Sequence, residues 1–361
     1  SEVNAAEVCA LGVEIFDRGD LRYIASKGRE SDPPKETSYA FPYAGYYVMR
    51  DSWRPEAQYL LFDAGGGQTH ENKLDFRLHA YGRRLIVDRG KGESGSEGYL
   101  RSSRAHNSII IDGKGQRRRR IGEAEIAPEA DLRWIRTASF DFAEGWYKEG
   151  YAGEGEDAIA CDLAHKRSIF YVRGEYFILH DLVLGEGEHR LEQVFHLAAA
   201  GGDGGTRECV ERLEGGIVRT VDPNSGNIVI APTDAAGLEV TLGSGESSSC
   251  ELAYVTNRLP PTAMNVVLFP SPPGAEVSLE IGLLEVAADA DVLATGFTIA
   301  HGGFTDYVLI SDDGFAEMCT SELEFRGEYA FLRIDGDGQP LWWGLVNGQF
   351  LGWRGKAVVG G

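Results

Sequence analysis

The chain has 361 residues, 43% apolar and 25% charged, and its 35 Lys and Arg against 56 Asp and Glu leave a formal charge of −21. That composition excludes a disordered tail and a small disulfide scaffold; the length points to two domains, or to one large sheet structure with an appendage. The acidic balance argues against general nucleic-acid or anionic-membrane binding, which needs a basic footprint.

The chain starts at Ser1 without an initiator Met, so a processed or truncated piece of something longer is expected. The N-terminus lacks the basic-then-apolar pattern of a signal peptide, and no run of about eighteen apolar residues is present to span a membrane. Residues Ala5 to Phe16 carry a helix-compatible apolar face (Ala6, Val8, Ala10, Leu11, Val13, Ile15, Phe16), with Gly19 near the expected end. One helix cannot bury its own face. The polar stretch 27–38, with Pro33 and Pro34, reads as a linker.

Almost everything beyond reads as strands separated by Gly, Asp, Asn and Pro. Leu74, Phe76, Leu78 and Ala80 alternate with Lys73, Asp75, Arg77 and His79, the period of a strand with one face in a core. Similar runs start near Gly45, Gln58, Arg84, Asn107, Arg167, Glu175, His189, Gly216, Asn227, Leu238 and Met264. More than a dozen strands with few helical stretches between them predict a mainly β chain, a large antiparallel β-sandwich rather than a βαβ fold. The expected division is a helical remnant and linker at 1–37, the sandwich at 38–275 and a smaller C-terminal β segment at 276–361. In that segment Asp312-Asp313-Gly314 and Asp335-Gly336-Asp337-Gly338 read as hairpin turns. The second lacks the spaced ligands and closing Glu of a calcium loop. Five widely spaced cysteines without a CxxC pair are expected to be free thiols.

Three residues stand apart. His70 follows Gly65-Gly66-Gly67 at a strand start, Asp88 closes the run RLIVD, and His106 sits in RSSRAHNS just before Ile109 to Ile111. Strand ends brought side by side would set two imidazoles and a carboxylate around one point, a set that suits zinc with a fourth position left open. Their spacing is not the compact pattern of a helix-borne site, and unrelated polar strand ends are the competing reading. The six other histidines (His79, His165, His180, His189, His196, His301) are expected to be hydrogen-bonded or exposed strand residues. Residues 83 to 120 hold eleven Lys and Arg against four acids, an excess of seven that leaves −28 for the rest. Arg101, Arg104 and Arg117 to Arg120 are candidates to fork onto carboxylates or sulfates of an acidic glycan, against a solvated charged loop as the plain alternative.

The runs Tyr43 to Trp53, Leu60 to Gly90, Tyr99 to Gln116 and His165 to Ala198 together resemble the C-terminal β-sandwich region of the heparinase II/III-like polysaccharide lyases, a superfamily that includes alginate and oligoalginate lyases. The resemblance implies a zinc ion on His70, Asp88 and His106. It implies β-elimination on a uronate: the carboxylate is neutralised, a base removes the C5 proton, and an acid protonates the departing glycosidic oxygen. It also implies an acidic polysaccharide or oligosaccharide as partner, and an N-terminal α/α toroid that supplies the catalytic Tyr, His and Asn or Arg. Homo-oligomerisation is a further expectation, as is export to the periplasm or medium of a bacterium. Three departures stand out: Gln68 replaces the histidine that faces the active site, Asn72 the acid two places after the ligand His, and Arg89 the proline after the Asp. Gln68 still donates a hydrogen bond to a carboxylate, but it is no acid or base. The expected substrate contacts are thus Gln68, Arg101 and Arg104, and the alternative to a lyase is a non-catalytic carbohydrate-binding sandwich without a toroid.

Overall fold

A computed structural model describes residues 4–65, 70–89, 97–117, 132–153, 159–198, 210–244, 249–289 and 292–360. Chain segments with apolar residues at every position, such as Ile169 to Val172, bury both faces when their strand lies between two other layers. Here Ile169 and Tyr171 point into one core while Phe170 and Val172 point into another. The strands Ala164–Val172 and Tyr176–Leu184, which pair antiparallel, lie in the middle of an eight-stranded sheet.

On one side of that sheet packs a nine-stranded antiparallel sheet running from Tyr39–Phe41 through Asp75–Ala80, Arg83–Ile86 and His189–Ala198 to Glu239–Ser244. Phe62, Phe76, Ile86 and Phe195 of this sheet meet Tyr171, Phe177 and Leu268 of the first. On the other side a five-stranded sheet contributes Phe297, Val308, Tyr329 and Phe331 to the second core. Its own outer face, with Leu309 and Leu332, closes over Phe325, Leu351 and Trp353 of a second five-stranded sheet. The fold is therefore mainly β: among the described residues, three cores lie between four layers, and a small fourth cluster of Ile110, Val194, Ala253 and Val255 lies apart from them. Each fully buried aromatic or large aliphatic side chain contributes roughly 1.5–3 kcal/mol, so the stack as a whole rests on apolar burial. The C-terminal segment supplies the last two layers, and Leu323–Gly327 in it alternates buried and exposed residues along its length.

The N-terminal helix Ala5–Phe16 begins with Asn4, whose side chain caps Ala6 N at 3.1 Å. It ends earlier than Gly19 because Asp17 turns left-handed (φ 46°). A second short helix, Gly19–Ala25, then starts at that glycine. Val8, Leu11, Ile15 and Phe16 stay more than half exposed. Cys9, Cys161, Cys250 and Cys319 are free thiols.

Candidate metal centre at the sheet end

Asn107 builds the site from the backbone outward. Its Nδ2 donates to Phe76 O (2.8 Å), Val87 O (2.9 Å) and Asp75 Oδ1 (3.1 Å), its Oδ1 accepts His196 N (2.8 Å), and its carbonyl accepts Arg167 Nη1 (2.6 Å). One fully buried amide thereby clamps the ends of three strands, and its neighbour His106 is delivered to the same point. A buried amide this fully satisfied is expensive to remove, since each partner is left unpaired.

His106 Nδ1 lies 2.7 Å from Asp88 Oδ1, with both side chains almost wholly buried. Arg77 makes an ion pair with Asp88 Oδ2 from the partly exposed side. The His70 ring centre is 5.7 Å from that of His106, tilted 52° to it. The loop after His70 is held in place by Glu71, whose N–H donates to Arg101 O (2.9 Å) and whose Oε2 accepts Ser103 N (2.9 Å). A side chain at Gly115 would meet that carboxylate at 2.3 Å, so only glycine fits there.

Asp75 completes the cluster. Donor atoms of Asp75, Asp88 and His106 all stand within 4.8 Å of one another. Strand alternation placed Asp75 on the polar face opposite Phe76, but Asn107 covers that face and leaves it 2% exposed. Burial, and then the charge of Asp88, push its carboxyl well above the usual range. On His106 burial opposes protonation, yet the bond to Asp88 and the charges of Asp75 and Asp88 outweigh it and the pKa rises. His106 Nε2 is buried with no hydrogen-bond partner among the described residues. The converging donor atoms are those of Asp75, Asp88 and His106, with Asp75 where His70 was expected; the His70 ring stands beside the group without joining it, and two carboxylates with an imidazole nitrogen suit zinc.

Three cations of the basic stretch are paired with carboxylates and a fourth is buried against a tyrosine. Arg83 bonds Asp222 (3.1 Å), Arg104 bridges Glu192 (2.6 Å) and Glu251 (2.9 Å), Arg101 pairs with Glu97 on its own helical turn, and Arg89 is buried against Tyr99. Arg104 is thus a link between strands as much as a surface cation. Gln68 and Arg118 to Arg120 lie outside the described residues. Sequence reasoning missed Asp75, Arg77 and Asn107; the HN pair before a triple-isoleucine strand was the available signal for the last.

Comparison with known proteins bears on this geometry. The family described as heparinase II/III-like, C-terminal, matches residues 33–265. The heparin-sulfate lyase of Bacteroides thetaiotaomicron is 24% identical over 241 residues, covering 60% of this chain and 31% of that protein. The heparin-sulfate lyase of Pedobacter heparinus is 23% identical over 183 residues, 47% of this chain and 25% of that one. Among solved structures, a heparinase III superposes with a TM-score of 0.63 at 15% identity, over 85% of this chain and 47% of its own. The Pedobacter heparinus heparan sulfate lyase gives 0.63 at 18%, over 85% and 48%. At these identities the structural likeness establishes the fold. The chain spans about a third or less of the length of these curated relatives and about half of the solved chains.

Proposed function

The chain belongs to the heparinase II/III-like C-terminal family of polysaccharide lyases, and on that premise we propose that it is the β-sandwich part of a lyase acting by β-elimination on uronate-containing acidic glycans, of the glycosaminoglycan class. The observation that carries the reading is the convergence at one sheet end of Asp88 and His106, 2.7 Å apart, with the His70 ring beside them. These are the positions that the family resemblance assigns to zinc. Asp75, Asp88 and His106 with His70 would hold the ion, which would supply a fixed positive charge that ties the strand ends together. Arg77, 41% exposed at its side chain, is the cation that balances Asp88 when no metal is bound.

The proton-transfer groups are proposed to reside on an α/α toroid, as a further domain or a separate partner. Two features support this: the stretch matched in the heparin-sulfate lyase of Bacteroides thetaiotaomicron is only 31% of that protein, and the helix Ala5–Phe16 presents Val8, Leu11 and Ile15 to solvent as an unburied apolar stripe. Gln68, Arg101 and Arg104 are proposed to contact the substrate carboxylate or sulfate.

The test is direct. The chain is mixed with heparan sulfate, heparin and alginate while the absorbance of the C4–C5 unsaturated product is followed and binding is measured in parallel. Elimination, by the chain alone or once a toroid domain is supplied, supports the lyase reading; binding without elimination even with the toroid present supports a carbohydrate-binding sandwich, and the absence of both overturns it.

A further inference from the structure

A second group of metal-ligating side chains lies at the opposite end of the nine-stranded sheet. Asp112 follows the strand Ile109–Ile111, Cys161 forms an isolated bridge with Tyr151, and His189 opens the strand His189–Ala198. The thiol, a ring nitrogen and a carboxylate oxygen all stand within 4.8 Å of one another. The six-residue advance from His106 to Asp112 separates the two clusters by on the order of 20 Å.

The surroundings of these side chains already have the form that a bound metal requires. His189 Nε2 lies 2.9 Å from the carbonyl of Glu186, while Nδ1 faces Asp112 Oδ2 at 2.7 Å. A metal-bound histidine commonly donates its far N–H to a backbone carbonyl, which fixes ring and tautomer. Asp112 is oriented in the same way: its Oδ1 accepts the backbone N–H of Arg190 at 2.9 Å, and its own backbone is left-handed at φ 52°. The Asp112 side chain is 38% exposed and that of His189 17%, so ions have access, whereas Cys161 is 9% exposed and set at the inner edge.

We infer that Asp112, Cys161 and His189 form a site for a thiophilic divalent cation, zinc by donor type, with a fourth position open to water. Ligand atoms around an ion of that size stand roughly 3–4 Å apart, so the His189 to Asp112 hydrogen bond opens slightly and the thiol moves inward. The thiol proton leaves to solvent as the metal–sulfur bond forms, which couples binding to pH.

The test uses Co2+ as a spectroscopic substitute. Titration of the metal-stripped chain is expected to raise a near-ultraviolet thiolate-to-cobalt charge-transfer band, which Zn2+ then abolishes. Cys161→Ser is expected to lose that band entirely, while His106→Ala and Cys319→Ser keep it. His189→Gln, a second variant outside the thiol, is expected to weaken Co2+ binding at this band by at least tenfold. No charge-transfer band in the parent chain, or a band that survives Cys161→Ser, overturns the inference.

Discussion

Two buried histidine–carboxylate pairs, His106 with Asp88 and His180 with Asp312, are chemically alike and serve different ends. His180 has a partner on each ring nitrogen, Asn265 Oδ1 at 2.5 Å and Asp312 Oδ1 at 2.7 Å, so the ring is saturated. It fastens the turn Asp312 to Gly314, which belongs to the outer layers, onto the middle sheet. His106 leaves Nε2 unengaged beside a second imidazole and a further carboxylate. His165 Nδ1 and His196 Nδ1 also lack hydrogen-bond partners among the described residues. The convergence of several donors, and not one bare nitrogen, therefore distinguishes a site from a staple.

The sharpest way to break the contrast is to remove a staple. Asp181 is wholly buried and receives Arg167 through Nε (2.6 Å) and Nη2 (2.7 Å), His165 Nε2 (2.8 Å) and Gln193 Nε2 (2.7 Å). Arg167 also donates to Leu74 O and Asn107 O, both behind the metal centre. Asp181→Ala strands a buried guanidinium and is expected to destabilise the chain by about 3–5 kcal/mol, read by urea denaturation. A loss below about 1 kcal/mol would show that water reaches Arg167.

At the other pole, in a Cys161→Ser background that removes the second site, His106→Ala is expected to abolish bound zinc in metal analysis and to make the melting temperature indifferent to a chelator. The parent chain is expected to lose about 2.7 kcal/mol on chelation from zinc at a hundred times its Kd. Equal zinc content in both proteins, allowing for the second site by pairing the change with Cys161→Ser, would remove the metal from the proposed function.

The His180 pair gives a pH signature of the same sign as that of metal-free His106, whose pKa also rises, and Asp312→Asn isolates it. Burial opposes its charge most, but Asp312 outweighs burial and raises the pKa above the ordinary 6.5. A raised folded pKa stabilises fully below 6.5, and the gain disappears as pH climbs through the folded value. Asp312, buried but held by His180 and Lys166, lies below the ordinary 3.8, so its contribution fades only in acid. Lys166 and Asn265 face His180, the first opposing its charge and the second favouring it, while the His180 charge in turn lowers the pKa of His165. Denaturation at successive pH values is expected to show stability falling above pH 6.5. Asp312→Asn should flatten that fall, and an unchanged slope would sink the assignment.

The same contrast explains what the sequence made legible. Asp88 and His106 were readable because each ends or precedes an apolar run, so their strand ends had to meet in a sheet. Asp75 was not, because period-two alternation assigns its face but does not reveal that Asn107, from 32 residues onward, covers it. Arg104 looked like a surface cation since Glu192 and Glu251 come from strands that pair only in three dimensions. Asp312 looked like ordinary turn chemistry because its partner sits 132 residues away. The layered β architecture followed from strand patterning, whereas these long-range polar contacts depend on topology.

The smallest expected effect separates the two arginines named as substrate contacts. Arg101 pairs with Glu97 on an exposed helical turn, so Arg101→Ala should change stability by no more than about 0.5 kcal/mol. Arg104→Ala leaves Glu192, 7% exposed at its side chain, beside Glu251 without their shared cation, and should cost about 1–3 kcal/mol as a buried acceptor loses its partner. If Arg101 contacts glycan, its variant binds heparan sulfate more weakly at unchanged melting temperature and with a shallower salt dependence. If affinity follows stability in both variants instead, the arginines act only through the sheet, and recognition has to come from other side chains.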